Sequence, residues 1–379
     1  MGTIPVRYNP IFLVGASEEV RPPRSCGASQ GNAMDTQRLQ FKGNSSEYFR
    51  VWVVNLLLSI VTLGIYSAWG KVRRKKYFYR NTTLDGHNFD FHADPIKILK
   101  GRLIIVPVLA AYVASEYFLP LARPALLVLI VLALPWVIVR SQLFNCRNTS
   151  YRNLRFDFAG GPKQAYKALG SYGLLTAITA GLAYPLFVCK RREFIIGNTA
   201  FGKARFRFSG AAGEFFTIYL RATGIAVLMT FTAVILAAAL SVLFLASREG
   251  SQPAPGASMI LPFVTSGILA LVVYVPTFAY LQSRLTSYTL SNTKIGDNRL
   301  SCDLSASELT WIYVTNLLSI VLSMGFLIPW ATIRSARYRI ERTRLTIPES
   351  LDGFIGDSVP ARSATAEEFA DMFDFDVGF

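Results

Sequence analysis

Asn55 and Ser59 stand four residues apart inside one apolar run, and Asn316 and Ser319 stand three apart inside another. Polar side chains at membrane depth either tie helices together or line the path of a solute. The two runs read "NLLLSIVTLGIYSAW" and "NLLSIVLSMGFLIPW" and agree almost throughout. Each carries a glycine halfway, Gly64 and Gly325, and a third run carries Gly181, with Tyr172 in place of the asparagine. A glycine midway suits a broken or re-entrant element, because irregular backbone at membrane depth is tolerated where protein or a water-filled cavity surrounds it. Asn55, Ser59, Gly64, Gly181, Asn316, Ser319 and Gly325 are therefore the candidate pathway residues.

Nine residues after each glycine comes a base: Arg73, Lys190 and Arg334. Arg140 and Arg284 hold the same place in two further segments, where Val131 and Val275 replace the glycine. Bases at a cytoplasmic helix end attract anionic lipid head groups at roughly 1 kcal/mol each. Together with Arg74 they are the candidate contacts for a head group or an anionic ligand. Trp69, Trp136 and Trp330 lie four residues before a base and read as an aromatic belt.

The elements that position these residues recur. The dipeptide Asn81-Thr82 returns as Asn148-Thr149, Asn198-Thr199 and Asn292-Thr293, and in degenerate form as Arg342-Thr343. Eight residues before each lies one of the five bases, and four before lies an aromatic: Tyr77, Phe144, Phe194, Tyr288 or Tyr338. Eight and ten after, the first three copies have Phe89/Phe91, Phe156/Phe158 and Phe206/Phe208; the fourth has Leu300 and Cys302, and the fifth loses the pattern after Leu345. Agreement in one register at five places signals internal repetition. Alternating apolar residues around turns such as Asp85-Gly86 predict β-hairpins over about 71–91, 140–158, 190–208, 284–304 and 334–345. Isolated hairpins are marginal, so the five are expected to join in one sheet or barrel-like cap. The Asn-Thr pairs read as turn residues tolerating left-handed backbone. Asp94-Pro95, Ser305-x-x-Glu308 and Asn44-x-x-Glu47 start helices, and Leu39-x-Phe41 mimics the Phe-x-Phe strand.

Hydrophobic residues make up 52% of the 379 and charged residues only 17%, which places the chain among membrane proteins. Apolar stretches at 103–119, 125–139, 218–245 and 260–278 are long enough, or nearly so, to cross a core of roughly 30 Å; shorter or interrupted ones lie at 51–69, 174–188 and 311–330. Simple crossing by all seven would scatter the hairpins over both sides. The expected fold is an α-helical integral membrane protein with a cytoplasmic β-cap: four full spans, three re-entrant segments and five repeats of helix plus hairpin. The alternative is seven ordinary transmembrane helices. The near-side helix ends are strongly basic, so the hairpins and the C-terminus are assigned to the cytoplasm. Residues 1–38 read as a flexible arm without a signal peptide, 39–345 as the repeat-built domain, and 346–379 as an acidic tail. The tail carries eight acids and one base, hence −7, against +15 for the chain, leaving +22 elsewhere.

Four scattered cysteines and two histidines offer no metal cluster, and no nucleotide loop or nucleophile motif is present, so neither cofactor nor enzymatic activity is expected. The basic-aromatic stretches sit beside membrane segments, which favours interfacial anchoring over nucleic-acid binding.

The stretch "LGIYSAWGKVRRKKYFYRNTTLDGHNFDF", the following "DPIKILKGRL" and the ending "EEFADMFDFDVGF" resemble the YjgN-like family of bacterial multipass inner-membrane proteins, over roughly residues 41–379. The resemblance implies a bacterial inner-membrane location and no assigned activity. Two functions follow as expectations. The first is a transporter or channel-like protein for a small polar or anionic solute. The second is a non-transporting scaffold or lipid-organising protein whose basic cap binds anionic lipid or a partner protein. A closed ring of hairpins would favour a monomer; an open sheet would favour a homo-oligomer.

Overall fold

The computed structural model describes residues 35–246 and 257–347. The chain begins with β1 (Asp35–Arg38) and β2 (Gln40–Phe41), which are one stretch interrupted at Leu39. It continues through α1 (Ser45–Val61), α2 (Ser67–Arg80), β3 (Thr82–Leu84), β4 (His87–Phe91), α3 (Pro95–Phe118), α4 (Arg123–Arg147), β5 (Thr149–Tyr151) and β6 (Leu154–Phe158). Next come α5 (Pro162–Ala165), a π-helical turn (Tyr166–Gly170), α6 (Ser171–Ile178), α7 (Tyr184–Gly197), β7 (Thr199–Phe201) and β8 (Ala204–Phe208). The last elements are α8 (Ala212–Ala246), α9 (Ala257–Ser291), β9 (Thr293–Ile295), β10 (Asn298–Cys302), α10 (Ala306–Leu322), α11 (Ile328–Glu341) and β11 (Thr343–Ile347).

Consecutive strands pair antiparallel across tight turns. Asp85 and Gly86 both have positive φ, as do Arg152 and Asn153, the backbone that two-residue hairpin turns require. All strands join one sheet in the order β1-β11-β10-β9-β8-β7-β6-β5-β4-β3-β2. Its two ends are the same stretch of chain, so the sheet closes on itself. Leu39 N–H donates to Thr343 O at 3.2 Å, and Lys42 N–H to Asn81 O at 2.8 Å. The latter bond has equivalents at His92, Ala159, Ser209 and Asp303, each donating to the carbonyl just before the next strand pair.

Strands β3 to β11, and Leu39 between β1 and β2, each contribute a side chain to the interior: Leu39, Leu84, Phe89, Tyr151, Phe156, Phe201, Phe206, Ile295, Leu300 and Leu345, none more than 1% exposed. The rings interlock, with centroids 4.7 Å apart for Phe89–Tyr151 and 4.9 Å for Phe156–Phe201. Period-two alternation makes this possible, sending Arg155, Arg205 and Arg299 outward between the buried residues.

Three sequence expectations need correction. Residues 35–38, assigned to a flexible arm, form β1, because β11 has no second strand of its own and its edge is filled from the N-terminus. The hairpins begin later than expected: Ser67–Arg80, Tyr184–Gly197 and Ile328–Glu341 are helical up to the strand, and the same holds for the ends of α4 and α9. Aromatics such as Phe78 and Tyr79 suggest strand by propensity, but here they bury one helix face against the sheet. The asparagines are not left-handed either: Asn81, Asn148 and Asn198 have φ of −89°, −88° and −100°.

They are helix caps. Asn81, Asn148, Asn198 and Asn292 Nδ2 donate to the carbonyl four residues back at 2.7–2.8 Å. The following threonines do the same through Oγ1, at 2.7–3.1 Å across all five copies including Thr343. One dipeptide thus satisfies two orphan carbonyls where helix becomes strand.

The helices also run in a circuit. Neighbours in the chain pack on one another, and α11 returns against α1. Pro95–Phe118, Pro120–Arg147 and Ala212–Ala239 are long and apolar enough to cross a membrane.

Candidate functional site

The three glycine-bearing runs are helix pairs that fold back. Leu63-Gly64, Ala180-Gly181 and Met324-Gly325 each place two successive residues at positive φ, near 48–50° and then 91–94°. Gly64 N–H donates to Ser59 O at 2.7 Å; Gly181 to Thr176 O and Gly325 to Ile320 O, both at 2.8 Å. Just before the turn, Thr62, Thr179 and Ser323 hydroxyls accept from the N–H four residues on, at 2.9–3.1 Å, starting the second helix. Both ends of each pair therefore lie at the sheet, and the turn is the far tip. The tips are apolar and bare: Leu63 is 95% exposed and Met324 93%.

The pathway residues are consequently not brought together. Gly64, Gly181 and Gly325 occupy three separate tips, where the backbone requires them. Asn316 is buried inside the α10–α11 pair. Its Nδ2 donates to Ser335 Oγ at 2.9 Å and Ala331 O at 3.2 Å, and Arg334 Nη1 donates to its Oδ1 at 3.3 Å and to Thr315 Oγ1 at 2.6 Å. Ser319 Oγ returns to its own helix at Thr315 O, 2.8 Å away. Asn55 holds the matching place in α1–α2, facing Gly70 where α11 has Ala331. Its Oδ1 is buried without a hydrogen-bond partner. Ser59 is half-buried beside the tip.

The bases form an aromatic-backed collar between sheet and tips. Guanidinium carbons lie over ring centroids at 5.8 Å for Arg73 on Tyr66, 5.7 Å for Arg140 on Trp136, 6.0 Å for Arg284 on Tyr280 and 5.2 Å for Arg334 on Trp330. Residues four apart share a helix face, so the spacing visible in the sequence enforces three of these contacts. Lys190 pairs with Glu193 at 2.8 Å instead, and Arg74 is half-buried on α2. The hydroxyls of Tyr77 and Tyr338 stitch each second helix to the start of its first, a role that the aromatic at that register did not announce.

A groove of about 550 Å³ runs beside α8 and α9, walled by apolar residues such as Ala226, Phe231 and Leu281 with a few threonines. A smaller pocket of about 360 Å³ lies where α11 meets α1, lined by Ser45, Trp330, Arg334, Arg337 and Tyr338. Among the described residues no group of His, Cys, Asp and Glu could hold a metal ion, and Cys146, Cys189 and Cys302 are buried free thiols.

The sequence matches, over residues 36–372, the family described as bacterial protein of unknown function, DUF898. The chain belongs to the DUF898 family. Within the family's neighbourhood, it is 25% identical over 167 residues to inner membrane protein YjgN of Salmonella typhimurium, covering 43% of this chain and 41% of that protein. It is 28% identical over 156 residues to inner membrane protein YjgN of Escherichia coli K12, covering 40% and 39%. The matched part thus spans about two fifths of these curated relatives. No solved structure matches. Apolar helices and inner-membrane relatives together make this DUF898 chain a membrane protein.

Proposed function

We propose that this chain is a non-transporting scaffold of the bacterial inner membrane. Its long helix pairs cross the bilayer, its three short pairs are re-entrant, and its basic collar holds anionic head groups of the cytoplasmic leaflet. The observation that carries this reading is the fold-back at Gly64, Gly181 and Gly325 with bare apolar tips. From each glycine to its base is nine residues, about 13 Å of helix, or roughly half of a hydrocarbon core. With the bases at head-group level, the tips come to the middle of the bilayer and every strand stays on one side. The excess of bases on that side supports a cytoplasmic assignment for the sheet and the C-terminus. The five strand-pair units, four with both strands from one copy and the fifth completed by β1, support internal repetition. The closed sheet leaves no edge for another chain, which supports a monomer.

Transport of a small polar or anionic solute is the second reading. Its support is Asn55, whose buried Oδ1 lacks a partner. Against it, the axis of the sheet is filled by ten side chains and Asn316 is fully bonded.

Single cysteines at Leu63, Leu182 and Met324, labelled with a quenchable dye in inner-membrane vesicles, test the first reading. Quenching is expected to be strongest from quenchers carried mid-way along the acyl chain. Head-group-level quenching, or labelling of intact cells by an impermeant thiol reagent, would overturn re-entrance. Solute flux in proteoliposomes that is lost in Asn55→Leu/Asn316→Leu would overturn the scaffold in favour of transport.

A further inference from the structure

The outer face of the sheet is electrically lopsided. On one side the outward carboxylates are paired: Asp90 with Arg80 at 3.0 Å, and Asp157 with Arg147 at 3.3 Å. Both acids stand nine residues after the capping asparagine, and in the third copy that place is taken by Arg207. Arg207 lies directly opposite Lys294 in the β8–β9 register, and Lys294 lies opposite Arg299 in β9–β10. Arg344 lies opposite Arg38 in β11–β1. Like charges directly opposite each other destabilise a sheet. Among the described residues no carboxylate forms an ion pair with any of these five bases.

We propose that the acidic C-terminal segment, residues 348–379, docks in cis on this basic row. The segment leaves β11 at Ile347, and the preceding Thr346 is opposite Arg299. It carries eight carboxylates against one base, Arg362. Residues 1–34, which precede β1, have three bases and two acids and are net +1, the wrong sign. From β11 to β8 is three strand spacings, about 15 Å, well within reach of a tethered segment of that length. The family match runs on through residue 372 and so takes in most of the acidic segment. Docking would relieve the like-charge row and shield it from other polyanions, including anionic lipid and nucleic acid.

Carbodiimide cross-linking of the full chain in nanodiscs tests this. It is expected to join Lys294 to the carboxylates of 349–376 within one chain, with a yield falling at least about five-fold between roughly 50 mM and 500 mM salt. As a second measurement, changing the eight tail acids to Asn or Gln is expected to raise heparin binding about ten-fold or more, as unshielded bases should. Arg207→Glu/Lys294→Glu/Arg299→Glu should remove that gain. Cross-links found only between chains would overturn the proposal in favour of a second copy. Absence of the Lys294 cross-link, with heparin and anionic-vesicle binding unaffected by the tail acids, would overturn it altogether.

Discussion

The Tyr77 hydroxyl accepts from the Asn44 N–H at 2.9 Å and donates to the Asn44 carbonyl at 2.8 Å, although 33 residues separate the two. One side chain thereby fastens the end of α2 to the start of α1. Tyr338 binds Ser305 in the same way, at 3.0 Å and 3.4 Å. Tyr77→Phe removes both bonds and leaves the exposed Asn44 N–H and carbonyl to be solvated by water, so the expected loss is about 1 kcal/mol. Thermal unfolding in detergent would check it, with Tyr338→Phe expected to behave alike.

Leu39 decides whether the sheet closes. It is buried in the same core cluster as Leu345 and Leu84, where the two ends of the sheet meet. Leu39→Ala is expected to cost about 2–5 kcal/mol, the range for a large core side chain, while Lys42→Ala, on the exposed side, should stay within about 0.5 kcal/mol. Removal of 1–34 should leave the fold intact, whereas removal of 1–41 should abolish it. Protease resistance of the purified variants reads the difference.

Gly64→Ala isolates backbone cost. A Cβ there would meet nothing within 4 Å, yet φ is +91°. The variant should therefore lose roughly 1–2 kcal/mol from conformation alone, without disturbing packing. Gly325→Ala should match it, and unfolding midpoints compared with a helical Gly224→Ala control would show the contrast.

Asp90 sets a small acid dependence. Burial alone would raise its carboxyl, but hydrogen bonds from Arg80 and the Phe91 N–H outweigh this and hold it below the ordinary aspartate value. A depressed folded-state value means that the contribution is present above the unfolded aspartate range and is lost as pH falls through the folded value. Since Arg80 is largely exposed, the pair is worth at most about 1 kcal/mol. Asp90→Asn should therefore cost up to about 1 kcal/mol at pH 7, and its difference from the parent should fade as pH drops below about 4.

The Asn-Thr ladder was legible because every copy performs the same local task, and a cap has a fixed sequence spacing. The aromatic partners of Arg140 and Arg334 were legible for the same reason, whereas Arg73 lies over Tyr66 and not over Trp69. What the spacing could not reveal was where the helix stops: Phe78 and Tyr79 favour strand by type, and only their burial against Phe91 and its neighbours keeps them helical. The polar stretch Asp35–Arg38 has no periodicity, and its partner lies some three hundred residues away. Gly64, Gly181 and Gly325 carried a true regularity with a different cause. They recur because the backbone turns there, once in each of three helix pairs.

Closure through β1 and β2 also fixes an order of events in the cell. Residues 35–41 leave the ribosome early, but their partner β11 ends at residue 347. At ordinary synthesis rates of about 5–20 residues per second, some 300 residues take roughly 15–60 s. Throughout that interval β2 has β3 beside it but β1 lacks its partner, and the circle stays open until β11 arrives. Biogenesis therefore finishes at the N-terminus, and a ribosome stalled before β11 holds a protein that is inserted but not yet sealed.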